Sequence, residues 1–361
     1  MSSSGQILSS NARRLLAVRG VQAAASAITF ALLATGCTAP PPISTPSPTA
    51  TQTAAAVEQE IAPLTGLDVV DVMPAHPVFM AKIDNHPDAR PQYGLNQTDI
   101  VFEELVEGGM TRYVAIWHSN VPEQIGPIRS IRPMDPDIAS PFKGIIAYSG
   151  GQTPFVNMMR KTQVVNFIHG INEGDAYMSR TKEKPGPHDV VVRARQAVLD
   201  RSDLEAPGVA FLYPAPGGMP TAVQFGQATS TLTLQFSKDT IPSWVWDAES
   251  GLYKRKQTGG EWDVDEDGNV LTATNIIVQI TPETTLFGNV KFVPKAETIG
   301  TGVGYVSTGG KTFPMVWSKV DQNSFTTYSF QGENPVRLAR GNTWIELVPV
   351  KGKFSTEPAL Q

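Results

Sequence analysis

Residues 83–135, from Ile83 to Asp135, read IDNHPDARPQYGLNQTDIVFEELVEGGMTRYVAIWHSNVPEQIGPIRSIRPMD. The strand signals in this stretch decide the fold class, and its ionisable groups supply the candidate site. Besides His86 and His118 its cations are four arginines, Arg90, Arg112, Arg129 and Arg132, and no lysine occurs between Lys82 and Lys143. Guanidinium makes forked contacts to carboxylate or phosphate, whereas lysine offers a mobile point charge. The bias therefore points to carboxylate or anion recognition.

Asp99–Glu107 and Thr111–His118 both alternate about Gly108-Gly109, which predicts a β-hairpin with a glycine turn. With the two glycines as the loop, Glu107 pairs with Met110, Leu105 with Arg112 and Glu103 with Val114. Alternation then puts Glu103, Glu107 and Arg112 on one face, with Arg112 diagonal to both carboxylates. Tyr113, Ala115 and Trp117 fall on the other face, as core. Such a set is either an exposed ion-pair ladder, worth at most about 1 kcal/mol per pair, or one wall of a site.

Upstream, Pro77–Ile83 is an apolar run that reads as a buried strand, with Asp84 and Asn85 at its end and a turn forced by His86-Pro87. Downstream, Pro127 and Pro133 bracket Arg129, Ser130 and Arg132 and exclude a helix interior. In a regular strand the two arginines would face apart, so a bend at Ser130 or a helical turn after Pro127 is needed to bring them together. Ile145–Tyr148 is a further strand, leading through Gly150-Gly151 to a helix with Thr153 as N-cap and Pro154 at its first position. A helix is predicted over Arg193–Asp200, and Pro187-His188-Asp189 precedes it.

The phrases IDNHPDARPQYGL, DIVFEELVEGGMTRYVAIW, IGPIRSIRP and PHD resemble the YerB-type lipoproteins, a family of unknown function found mainly in Gram-positive bacteria. DAESGLYKR, LTATNIIV and RGNTWIELVP extend the resemblance through the second half. Two departures stand out: the family has His-Asn where this chain has His188-Asp189, and its second-half histidine is replaced around Trp262. The resemblance implies a two-part extracytoplasmic lipoprotein and singles out Asp84, Asn85 and His188, but it carries no activity.

The second half is strand after strand: Thr231–Ser237, a hairpin of Trp244–Trp246 with Leu252–Arg255, then Asn275–Ile280, Gly304–Ser307, Met315–Lys319, Phe325–Phe330 and Thr343–Val348. Asp263, Asp265 and Asp267 alternate like a calcium loop, but no glutamate closes an EF-hand, and a polar turn is expected. The fold class is thus α+β: a mixed α/β N-terminal domain at 63–206, a Pro/Gly-rich linker at 207–222 and a β-rich C-terminal domain at 223–352.

At 361 residues, with 41% hydrophobic residues and a net charge of −5, the chain can bury real cores and does not suit general nucleic-acid binding. Its leader, residues 1–36, carries Arg13, Arg14 and Arg19 before an apolar run, Val21–Leu33, that is short for a spanning helix. Leu33-Ala34-Thr35-Gly36-Cys37 resembles a lipobox, with Ala34 where leucine is usual. Cys37 is the single cysteine, so no internal disulfide forms and lipidation is its expected role. Arg13-Arg14 also resembles part of a twin-arginine signal. Residues 37–62, rich in Pro, Ser, Thr and Ala, predict a disordered tether.

Three functions follow: a module binding an anionic envelope component or an envelope protein, a scaffold, and a hydrolase or transferase using Glu103, Glu107 and His188. The ligand-binding candidates are Asp84, Asn85, Arg90, Gln92, Glu103, Glu107, Arg112, Arg129, Ser130, Arg132 and His188. With no GxGxxG, GxSxG or HExxH, no cofactor and no metal is expected. Labelling cells with a fatty-acid analogue should mark the wild-type protein and not Cys37→Ala; equal labelling of both would remove the anchor.

Overall fold

Alternation along the strands sorts apolar side chains onto two faces of one large sheet, and each face builds its own core. A computed structural model describes residues 61–69, 75–285 and 293–359; the leader, Cys37 and the tether to residue 60 lie outside them. Ile61 and Ala62 are already held, through a bridge from Ile61 to Asp68 and a bond from Gly66 N to the Ala62 carbonyl.

The fold is strand-rich with short helices, and among the described residues sixteen strands join in the main sheet. Thr343–Pro349, late in the chain, lies parallel between Asn275–Thr281 and Ile100–Leu105. Thr111–Trp117 follows antiparallel, then Phe79–Asp84, with Ile145–Tyr148 and Val165–Ile168 parallel at the edge. Helices Asp135–Ala139 and Thr153–Met159 bury Ile138, Phe155 and Met159 against the face that carries Met80, Phe102, Val114 and Ile345. The opposite face packs Ile83, Val101, Tyr113, Trp117 and Trp344 with Leu232, Leu234 and Trp244. Both cores therefore mix residues from the two halves of the sequence. The 207–222 stretch is packed as well: Phe211 and Tyr213 are buried, and Ala210 N donates to the Pro63 carbonyl.

Several sequence expectations meet local differences. The helix after Gly151 starts at Thr153 with Gln152 as N-cap, and no side chain caps it. The hairpin loop is longer than two residues. Val106 N bonds the Met110 carbonyl across a turn at Glu107–Gly109, with Gly108 and Gly109 both at positive φ. The register becomes Leu105 opposite Thr111, Glu104 opposite Arg112 and Glu103 opposite Tyr113. Because the side-chain period is two, this one-residue slip moves Glu103 and Arg112 to opposite faces. Arg112 now shares a face with Glu104, and with Asp84, its partner on the other neighbouring strand.

Since the Thr343–Pro349 strand completes the sheet of the first half, the halves should unfold together. Denaturant curves followed by tryptophan fluorescence and by backbone circular dichroism should coincide in one transition; two separated transitions would show independent units.

Candidate functional site

The strands Phe79–Asp84 and Ile145–Tyr148 run parallel, the second ending level with Lys82, and the segment after Pro127 crosses their carboxyl ends. Asp84 N donates to the Pro127 carbonyl, Arg129 N to the Lys82 carbonyl, Ser149 N to the Arg129 carbonyl and Ile131 N to the Gly150 carbonyl. These bonds fix Arg129 and Arg132 above the end of the strand that carries Asp84. The backbone leaves strand geometry here, so the two arginines join one cluster despite their spacing.

His188 Nδ1–H donates to Asp84 Oδ2 at 2.6 Å, the carboxylate being able only to accept. Arg129 Nε lies 3.1 Å from the same oxygen without hydrogen-bond alignment, and its Nη1 donates to the Pro187 carbonyl at 3.1 Å. Arg132 Nε donates to Glu107 Oε2 at 2.6 Å. Arg112 and Arg132 both donate to the carbonyl of Ser130, at 2.7 and 3.1 Å, so Ser130 acts here through its backbone. Burial, and then the charges of Arg132 and Arg129 against the help of Asp84, bring the Arg112 guanidinium down to about 10. The side chains of Arg132, His188 and Arg129 are 11%, 12% and 22% exposed, so the cluster opens to solvent on one side.

Beneath it lies a set that the sequence reading missed. Lys82 donates to Glu104 and, at 2.8 Å, to Asp135 Oδ1, all three side chains fully buried. Asp135 Oδ2 also accepts from Arg132 N at 2.6 Å, tying the buried ions to the arginine segment. Burial, and then the neighbouring Asp135, push the Glu104 carboxyl up to about 8 against the pull of Lys82. A lysine inside the apolar run VFMAKI was the one local hint of this set.

The remaining candidates belong to a different structure. Asn85 Oδ1 accepts from Arg90 Nε at 3.0 Å, Asn85 Nδ2 donates to Thr111 Oγ1 at 2.9 Å, and Gln92 Nε2 donates to the Asp84 carbonyl at 3.0 Å. Thr111 Oγ1 in turn donates to Glu103 Oε1 at 2.6 Å. Glu103 is fully buried, and its other oxygen takes Arg255 Nη2 at 2.6 Å. Arg255 Nε reaches Asp263 at 3.0 Å, and Tyr113, Trp244 and Trp344 surround the guanidinium with ring centroids 5.1–5.8 Å away. Burial opposes the Arg255 charge, but Glu103, Tyr113, Glu346 and Asp263 together raise its pKa. Asp263 is therefore an ion-pair partner, while Asp265 Oδ1 accepts from the backbone of Asp267 and Asn269 as a turn residue does. The expected convergence of Arg112 with Glu103 does not occur, and Glu103 cannot serve as an accessible acid or base beside His188.

His86 and Asp88 join His188 in the one described His/Asp group whose ligand atoms lie within 4.8 Å of one another. The two imidazoles are stacked, with centroids 4.3 Å apart and planes 14° from parallel. Lone pairs in nearly parallel planes run side by side, whereas an ion about 2 Å from each nitrogen needs them to converge. His86 Nδ1 already accepts from Asp88 N, and His188 Nδ1 faces Asp84. The geometry suits two packed rings better than a metal centre.

An extended mixed sheet is thus crossed at its strand ends by an ion-paired arginine segment. The chain matches the N-terminal domain of the family described as "Protein of unknown function (DUF3048)" over residues 64–204 and its C-terminal domain over 232–345. It is 34% identical over 129 residues to YerB, named as a candidate lipoprotein of Bacillus subtilis (strain 168), a match that spans 36% of this chain and 38% of that relative. The crystal structure of the YerB protein from Bacillus subtilis superposes with a TM-score of 0.71 at 21% identity, over 82% of this chain and all of that one. The chain belongs to this YerB-type family with its two domains.

The raised Glu104 carboxyl has a pH consequence. Its proton is held more tightly in the folded than in the unfolded state, so its contribution is full below the unfolded value near 4.5 and is lost as pH rises through about 8. Glu104→Gln, which keeps shape and neutrality, should flatten the fall in melting temperature between pH 5 and 8; an unchanged slope would place the titration elsewhere.

Proposed function

We propose that the chain is a lipoprotein, anchored through Cys37 on the extracytoplasmic face of the membrane, that binds an anionic component of a Gram-positive cell envelope at its arginine cluster. Among the described residues no helix is long and apolar enough to cross a membrane, so the lipid would be the means of attachment. The carrying observation is a charge excess: Arg112, Arg129 and Arg132 converge on two carboxylates, Asp84 and Glu107, and two of the three guanidinium groups are partly open to solvent. An ionised phosphate or carboxylate would balance the third cation and accept the forked contacts that guanidinium favours. The stacked His86 and His188 border the same opening.

A scaffold is the second reading, because each arginine already has a partner within the protein. The acid–base reading loses Glu103 and keeps the Asp84–His188 pair together with Glu107, which pairs with Arg132. A division of the sequence at 207–222, between the two family matches, remains part of the proposal, without making the two segments separately folding units.

Melts at constant ionic strength separate binding from scaffolding. Phosphate at a hundred times its dissociation constant should stabilise the wild type by about 2.7 kcal/mol. Arg129→Ala and Arg132→Ala should abolish that rise while leaving the ligand-free melt within a few degrees. If instead each variant loses about 3–5 kcal/mol, as expected on breaking a buried pair, and phosphate does not shift the wild type, the scaffold is correct.

A further inference from the structure

Remote from the arginines in sequence, the segment at residues 209–212 and the strand Thr327–Phe330 enclose a cavity of about 600 Å³. Phe211, Leu212, Phe325, Tyr328, Val336 and Leu338 give it an apolar lining. Its volume falls in the range of pockets that hold small ligands, roughly 300–1,000 Å³. Phe211, Phe325 and Tyr328 also wall a second void of about 20 Å³, room for about one water-sized group.

That inner void is bounded by Asp137, Gln279, Thr298 and Lys319. Gln279 Nε2 and Thr298 Oγ1 are buried with no hydrogen-bond partner, the two residues being 1% and 4% exposed. Native interiors seldom leave such groups unpaired, and two around one void point to something that completes them. The Tyr328 hydroxyl donates to Gln279 Oε1 at 3.1 Å, which fixes the amide and leaves its NH₂ free. Asp137 Oδ2 lies 3.2 Å from Lys295 Nζ, which also holds Glu297 at 2.9 Å. Lys319 Nζ is spent on the Ser324 and Gln322 carbonyls. Two ammonium groups, Lys295 and Lys319, thus meet three carboxylates, Asp137, Glu297 and Asp321, and no cation is left for an anionic head.

We propose that this cavity binds an acylated molecule, its hydrocarbon chain in the apolar part and an uncharged carbonyl head against Gln279 Nε2 and the Thr298 hydroxyl. The site is separate from the arginine cluster and stands whether or not that cluster binds an anion. Half-exposed Val209 and Leu212 form its mouth, where an apolar chain can enter.

Calorimetric titration of the full chain carrying Cys37→Ser, which has no lipid of its own at that position, tests this with 1-lauroylglycerol and with laurate, both below self-association. Saturable one-to-one binding of 1-lauroylglycerol is expected, with laurate at pH 8 weaker by about tenfold or more. Thr298→Val removes a hydroxyl that has no protein partner, so it should keep or raise the melting temperature while weakening 1-lauroylglycerol about tenfold. Leu212→Trp, at an exposed rim position, should also weaken binding by obstructing the mouth. Absence of saturable binding to the Cys37→Ser chain, or an affinity unchanged in both further variants, overturns the proposal; tighter binding of laurate than of 1-lauroylglycerol overturns the uncharged head.

Discussion

One buried guanidinium, that of Arg255, connects the parts of this protein. It takes Glu103 from the first half of the chain and Asp263 from the second, faces Glu346 at 3.5 Å, and sits among three aromatic rings. Burial, and then Glu103 close by, push the Glu346 carboxyl well above its ordinary range. Removing charges from water costs several kcal/mol per ion, which only well-placed partners can offset. Glu103 and Glu346 are neighbours because Thr343–Pro349 is inserted beside Ile100–Leu105 in parallel register. The knot and the sheet order therefore require each other.

That requirement assigns the two faces their work. With Glu103 turned towards Arg255, alternation turns Glu104 and Arg112 to the opposite face. There Glu104 meets Lys82 and Asp135, and Arg112 meets the segment of Arg129 and Arg132. A row of charge consequently runs from a fully buried triad to a partly solvated cluster along one sheet face. The aromatic and aliphatic side chains flanking both knots exclude water, so each charge depends on its protein partners rather than on solvent.

Asn85 shows how the two systems touch. It follows Asp84, a residue of the arginine cluster, yet its side chain binds Arg90 and Thr111 and leads through Thr111 to Glu103. Adjacent strand positions point to opposite faces, so neighbours in sequence serve different structures. The candidates of the central stretch were legible as a set because arginine bias and alternating carboxylates are local patterns. Their division into a cluster and a structural knot was not, since a single residue in the hairpin loop decides it.

By itself the sequence determined most strands, the hairpin about Gly108-Gly109, the helix ending at Asp200 and the family, because periodicity and turn residues act over a few positions. Only the tertiary structure decided the hairpin register, the insertion of Thr343–Pro349 into the sheet of the first half, and the pairing of Arg255 with Glu103 and of Lys82 with Asp135. Each of these joins residues far apart in the chain or depends on the parity of one loop. No local pattern carries such information, because it arises when two faces, each apolar enough to fold, must also bring their few buried charges into register.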